Sequence, residues 1–231
     1  MRLFRPRYWL FCAIATALPA RPAAFGADDL AAVLSRIDKA SAMFKGLTAD
    51  VRKLAHTAVI NEDDTDIGTI AVKRPKLSDL RVLFDIREPD PKKVAFEDSK
   101  GQFYYPKRNE VEIYNVGKIK GLVEQFLLLG VGSSARDLEG AYSIKWGGPE
   151  TVAGQPATRI ELTPKSKEML AHYNRVDLWI SDTTGLAVQQ KLFAPGGDYI
   201  LATYTNMKTY DNLSDSAVKL NLPKDVKKIQ R

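Results

Sequence analysis

In the stretch Asp79-Leu80-Arg81-Val82-Leu83-Phe84-Asp85-Ile86, the side chains of Leu80, Val82, Phe84 and Ile86 fall on one side of an extended chain and those of Asp79, Arg81 and Asp85 on the other. Such period-two alternation describes a strand that covers something apolar on one face and meets water on the other. The same pattern runs outward in both directions. Residues 48–60 and 67–73 before it and 93–97 after it read as strands separated by acidic, Pro and Gly turn residues. Ser99-Lys100-Gly101 turns the chain into Gln102-Phe103-Tyr104-Tyr105, and Lys107-Arg108-Asn109 turns it again before Val111-Glu112-Ile113-Tyr114, giving an antiparallel meander.

Helical spacing brackets this meander. Leu30, Val33, Leu34, Ile37 and Phe44 recur at three- and four-residue intervals after a cap at Asp28 or Asp29, and Gly46 ends the run. A second helix is expected from about Lys118 to Gly130, apolar on its last turn, and a short third one at 134–142 capped by Ser133 or Ser134. Strands return at 142–146, 158–162, 175–181, 187–193, 198–206 and 217–222. With no βαβ rhythm and no internal repeat, the expectation is one mainly β domain: a large, strongly curved antiparallel sheet of ten or eleven strands, with helices against its concave side.

The chain has 231 residues, 45 % hydrophobic and 27 % charged, enough for a substantial core. The net charge of +6 is concentrated at the start: Arg2, Arg5, Arg7 and Arg21 lie in the first 26 residues without an acidic partner, and removing them leaves +2. A near-neutral body lacks the basic footprint of a nucleic-acid binder. The basic start, the apolar run Tyr8 to Leu18 and the small residues after Pro19 read as a cleavable export signal over residues 1–26, with the functional domain at 27–231. The single cysteine, Cys12, leaves with the signal, so the exported chain has neither disulfide nor thiolate and stands on its apolar core alone. A soluble, unanchored, exported monomer is expected.

Polar motifs point to no chemistry. His56 and His172 have no third ligand at metal-binding spacing, so no metal is expected. The run Glu62-Asp63-Asp64-Thr65-Asp66 lacks the glycine and final glutamate of a calcium loop and reads as a solvated hairpin loop. No nucleophile elbow or zinc-protease helix is present, and Gly130-Val131-Gly132 lacks the third glycine of a nucleotide loop. The protein is expected not to be an enzyme and to need no cofactor.

The apolar inventory is what stands out. The helices supply Leu30, Leu34, Ile37, Phe44, Leu122, Phe126 and Leu127, and the inward strand faces supply Val82, Phe84, Ile86, Phe96, Phe103, Val111 and Ile113, then Ile160, Leu178 and Ile180. A curved sheet of ten or more strands encloses more volume than side chains fill, so these residues are candidates to line a hydrophobic cavity.

The order of segments resembles the LolA-like outer-membrane lipoprotein carrier family. The matching pieces are Asp29-Leu30 through Arg36-Ile37-Asp38-Lys39-Ala40-Ser41, Gly68-Thr69-Ile70-Ala71-Val72-Lys73-Arg74-Pro75, the hairpin from Val94 to Tyr105, Leu162-Thr163-Pro164-Lys165, Asp182-Thr183-Thr184-Gly185-Leu186, and the closing Val218 to Val226. The resemblance implies an incomplete antiparallel β-barrel of about eleven strands, with helices forming a lid over a hydrophobic cavity. It implies a periplasmic carrier that takes lipoprotein acyl chains from an inner-membrane transporter to an outer-membrane acceptor. At about 0.8 kcal/mol per methylene, three chains of roughly sixteen carbons cost some tens of kcal/mol to expose, so such cargo needs a shelter. By the Val-Lys-Arg-Pro match, Arg74 takes the place of the family's lid-locking arginine, which bonds backbone carbonyls of the lid when the carrier is empty. Where the family has an aromatic residue for partner contact, this chain has Leu77, Ser78 and Leu80. A lipid- or lipoprotein-sensing module on the same scaffold, reporting to an envelope stress regulator, is the alternative.

Overall fold

The computed structural model describes residues 27–76, 79–97, 99–117, 129 and 131–231. The chain opens with α1 (Ala27–Met43), whose apolar stripe faces the sheet. Asp28 and Asp29 fall within its first turn instead of capping it. The meander follows: β1 (Gly46–Thr57), β2 (Glu62–Lys76), β3 (Asp79–Glu88), β4 (Lys92–Glu97), β5 (Lys100–Tyr105) and β6 (Glu110–Asn115). After α2 (Ala135–Ala141) come β7 (Tyr142–Val152), β8 (Gln155–Pro164), α3 (Lys167–His172), β9 (Arg175–Ser181), β10 (Ala187–Phe193), β11 (Tyr199–Thr209) and β12 (Lys227–Gln230). The helix expected at residues 118–130 falls almost wholly outside the described residues, as does the export signal.

Among the described residues all twelve strands form one sheet, in the order β12-β6-β5-β4-β3-β2-β1-β11-β10-β9-β8-β7. It is antiparallel except for the β12–β6 pair, and β7 and β12 are its free ends, so the sheet is an incomplete barrel with one strand more than expected. The concave face of β1–β3 carries Leu47, Ala49, Val51, Ile70, Val72, Val82 and Ile86, packed with Ala40 and Phe44 from the end of α1. The concave face of β8–β10 carries Ile160, Leu162, Val176, Leu178 and Ile180, packed against Val33 and Ile37 of α1 and Leu138 of α2.

Local chemistry accounts for the joints. Ser134 accepts a hydrogen bond from the Asp137 amide while Asp137 accepts one from Ser134, a capping box that starts α2 where expected. Arg36 of α1 donates from Nη2 to Thr158 Oγ1 at 3.1 Å and to Asp182 Oδ1 at 2.8 Å, tying the helix to the β8 and β9–β10 side. Gly185, at φ +71°, turns the β9–β10 connection so close beneath α1 that a Cβ there would lie 2.5 Å from the Arg36 carbonyl oxygen.

Three expectations are corrected. The acidic run 62–66 is not a loop but the start of β2, because β1 places bases opposite it: His56 faces Asp63 and Lys53 faces Asp66 in the register. The hairpin turn lies at residues 58–61 instead. Residues 217–222 do not pair as a strand. A 3-10 turn at Asp215–Ala217 is followed by a crossing of the outer face, where Leu220 packs on Ala95, Tyr104 and Val111, and only then does β12 join the sheet edge. Val111 and Ile113 therefore point outward, toward that crossing segment, and not into the concavity. The short helix α3, capped by Ser166, has no counterpart among the expected elements: six residues carry too little periodicity.

Gly68 pairs with Ile86 beside a bulge between β2 and β3, and a Cβ at Gly68 would stand 2.2 Å from the Asp85 carbonyl oxygen. Since that neighbour is backbone, Gly68→Ala is expected to lower unfolding free energy by about 2–3 kcal/mol in urea titration. A loss below about 0.5 kcal/mol would show that the two strands separate freely there.

Candidate functional site

The concave face is unevenly covered. On the β8–β10 half, Ile160, Leu178 and Ile180 are wholly buried beneath α1, together with Ile37, while Leu30 and Leu34 pack at the margin of the same cluster. Phe44, Val82 and Ile86 are buried in the central cluster, with Phe84 packed against its edge.

On the β3–β6 half the inward residues keep part of their surface. Val82 pairs with Phe96, Phe84 with Val94, and Val94 with Phe103, so all five share the concave face, and Phe84, Val94, Phe96, Phe103 and Tyr114 are each only half-buried. Phe103 meets Phe96 edge-on at 6.1 Å and Tyr114 edge-on at 5.3 Å between ring centroids. Gly101 opposite Phe96 leaves room for its ring, since a Cβ would come within 3.2 Å of the ring edge. These contacts fix the rings as an apolar floor. Leu122, Phe126 and Leu127, expected on the same cavity, lie outside the described residues, as do Leu77 and Ser78; Leu80 is buried in the central core.

Arg74, near the end of β2, is 8 % exposed and joins three separate segments. Its Nη1 donates to the Gly132 carbonyl and its Nη2 to the Ser41 carbonyl, at 2.5 and 3.1 Å, and its guanidinium lies 5.4 Å from the centre of the Phe44 ring. Ser41 Oγ donates to the same Gly132 carbonyl at 2.9 Å, and Asp38 Oδ1 accepts from the Ala135 amide at 2.7 Å, at the first turn of α2. The segment leading into α2 is thus fastened both to β2 and to α1. Burial pulls the Arg74 guanidinium below its ordinary pKa and the Asp137 carboxylate opposes this; an arginine stays charged throughout. A cleft of about 800 Å³, open to solvent, lies at this junction between Asp38, Ser41, Arg74, Gly132 and Asp137. Asp38 and Ser41 stand in the helical segment that carried the resemblance, but only the fold reveals their partners.

The histidines stay apart from this site. His56 shares a 2.7 Å hydrogen bond with Asp63 and stacks on Tyr199 at 4.7 Å, and His172 is exposed on α3.

No family model and no curated protein sequence matches the chain. Solved structures do. MucB is matched at 16 % identity and TM-score 0.54, over 84 % of this chain and 64 % of MucB; the chain thus spans under two thirds of that protein's length. An uncharacterized conserved protein from Thermus thermophilus is matched at 14 % identity and TM-score 0.54, over 88 % of this chain and 99 % of the other. A LolA superfamily protein from Nitrosomonas europaea is also matched, at 13 % identity and TM-score 0.38, over 82 % and 97 % of the two chains. What is shared is the fold, the incomplete antiparallel barrel with helices on its concave side that the sequence resemblance implies.

Replacing Arg74 by Leu removes both donors from the junction while keeping an apolar stem in their place. Amide exchange over residues 131–137 is expected to accelerate at least tenfold, corresponding to loss of about 1.5–3 kcal/mol per charge-assisted bond. Unchanged protection in hydrogen-exchange mass spectrometry would show that other contacts hold the segment.

Proposed function

We propose that the protein is an exported, periplasmic carrier that shelters acyl chains on the concave face of β3–β5 and shuttles lipoproteins or lipids from the inner to the outer membrane. The observation that carries this reading is the inward floor of Phe84, Val94, Phe96 and Phe103, apolar yet only half-buried, beside a junction that a buried arginine fastens. The role is binding and release, not catalysis, and it needs no cofactor. No helix among the described residues is long and apolar enough to cross a membrane.

Arg74 supplies the energetics of release. Its bonds to Gly132 and Ser41 hold the empty state together, and cargo entering beneath the helices must break them. Two charge-assisted bonds at about 1.5–3 kcal/mol each shift occupancy by orders of magnitude, but fall far short of the tens of kcal/mol in buried acyl chain. Arg74 therefore tunes hand-over without forbidding loading, and lysine would not replace its planar fork. Transporter and acceptor at the two membranes are the partners on this reading.

Native mass spectrometry of protein isolated gently from the periplasm is expected to show acylated cargo. Arg74→Leu is expected to retain that cargo, and deletion of the gene to leave lipoproteins at the inner membrane. Cargo-free protein together with unmoved lipoproteins would overturn the carrier. Should lipoproteins stay in place while the protein captures a membrane-bound regulator, the sensing role on the same scaffold takes over.

A further inference from the structure

At the end of the concave face farthest from Arg74 lies a cluster that the acyl-chain reading leaves unused. Lys53 and Asp66 stand opposite each other on β1 and β2, and both point to the same side as Val51, Ile70 and Val72, which is the concave side. Lys53 Nζ approaches Asp66 Oδ2 at 2.6 Å. Lys92, on the concave side of β4, reaches the same carboxylate, with Nζ at 3.3 and 3.2 Å from its two oxygens. Burial raises the Asp66 pKa, but the hydrogen bonds and charges of the two lysines outweigh it and hold the carboxylate below its ordinary value.

Two cations therefore share one largely covered anion, whose side chain is 14 % exposed while those of Lys53 and Lys92 are 39 % and 32 % exposed. Lys107 does not add to the pair, being bound to Asp90 at 2.7 Å. Glu62 and Asp64, farther toward the hairpin tip, form no ion pair with either lysine and are open to water. Placement matters as much as charge. Val94 and Phe96 follow Lys92 on the same face of β4, so the aromatic floor begins about 7 Å from the ammonium-bearing position. Arg74 stands eight residues along β2 from Asp66, about 25 Å away at the other end of the concavity.

We propose that Lys53 and Lys92 form a head-group site for an anionic amphiphile, a carboxylate or phosphate on an acyl chain that runs from this rim over Val94, Phe96 and Phe103. This rests on the acyl-shelter reading and narrows it: the preferred ligand carries negative charge at its polar end. The anion takes the positive charge that Asp66 leaves over, while the lysine stems continue the apolar wall.

The chain purified after export is titrated calorimetrically with three probes sharing one oleoyl tail, each below its micelle threshold: oleate, 1-oleoyl lysophosphatidic acid and monooleoylglycerol. At low salt at least one anionic probe binds about tenfold or more tightly than monooleoylglycerol, as expected for new charge-assisted hydrogen bonds, and which one does so distinguishes carboxylate from phosphate. In K53Q/K92Q, and in K53Q/D66N/K92Q, which leaves no carboxylate unpaired, the preference falls to within about twofold while monooleoylglycerol binds as before. Equal binding of all three probes by the unaltered chain, or a preference that survives in the triple variant, overturns the head-group site and leaves the acyl shelter standing. Binding of none of the three overturns the shelter, and the site with it.

Discussion

Twelve strands about 4.8 Å apart make a sheet whose contour is roughly 50 Å across, whereas a helix with its side chains is about 10 Å wide and so covers about two strands. Among the described residues that mismatch leaves the concave face unevenly covered. The 17-residue α1, with the short α2, buries the concave faces of β8–β10 and reaches the upper part of β1–β3 through Phe44 and Ala40. The rings on β3–β6 are left with surface to spare. On the outer face of the same strands the problem is solved differently: the segment after β11 crosses them, burying Ala95, Tyr104 and Val111 beneath Leu220. Among the described residues the outer face of the meander is thus covered by the chain itself, while the rings on its concave face keep part of their surface.

Polar groups mark the two ends of that face. At one end Arg74, Ser41 and Asp38 converge on the segment from Gly132 to Ala135, using backbone carbonyls and an amide as partners, so that the contact depends on where the backbone lies and not on any side chain of the segment. At the other end Lys53 and Lys92 converge on Asp66. Buried or half-buried charges of this kind cost desolvation and persist where they have partners. Both clusters meet that condition while flanking the half-buried apolar floor of β3–β5.

Much of the fold is legible because period-two alternation is strong where one face is wet. The segment Leu80 to Ile86 reads correctly, and the strands at 175–181 and 187–193 fall where their β-branched and apolar residues place them. Parity misleads where the chain covers the outer face instead of the concave one. In β6, Val111 and Ile113 look like the inward set, yet the crossing C-terminal segment takes them and leaves Glu112 and Tyr114 on the concave side. The acidic run 62–66 misleads for a related reason: its polarity suits a loop until Lys53 and His56, on a strand met only through the hairpin, stand opposite Asp66 and Asp63 as partners. Arg74 is reached by resemblance alone, and its partners Ser41, Gly132 and Phe44 are brought to it by tertiary packing over separations that no local pattern encodes.

The central claim is that hydrocarbon lies on the inward faces of β3–β5. Photolabelling with a palmitic acid analogue bearing a diazirine at mid-chain, followed by peptide mapping, tests it most directly. The account predicts adducts on the peptides carrying Phe84, Val94 to Phe96 and Phe103, suppressed by unlabelled lipid. Adducts confined to the outer face, on the crossing segment around Leu220 or on the exposed hairpin tip at Val59 and Ile60, would contradict it.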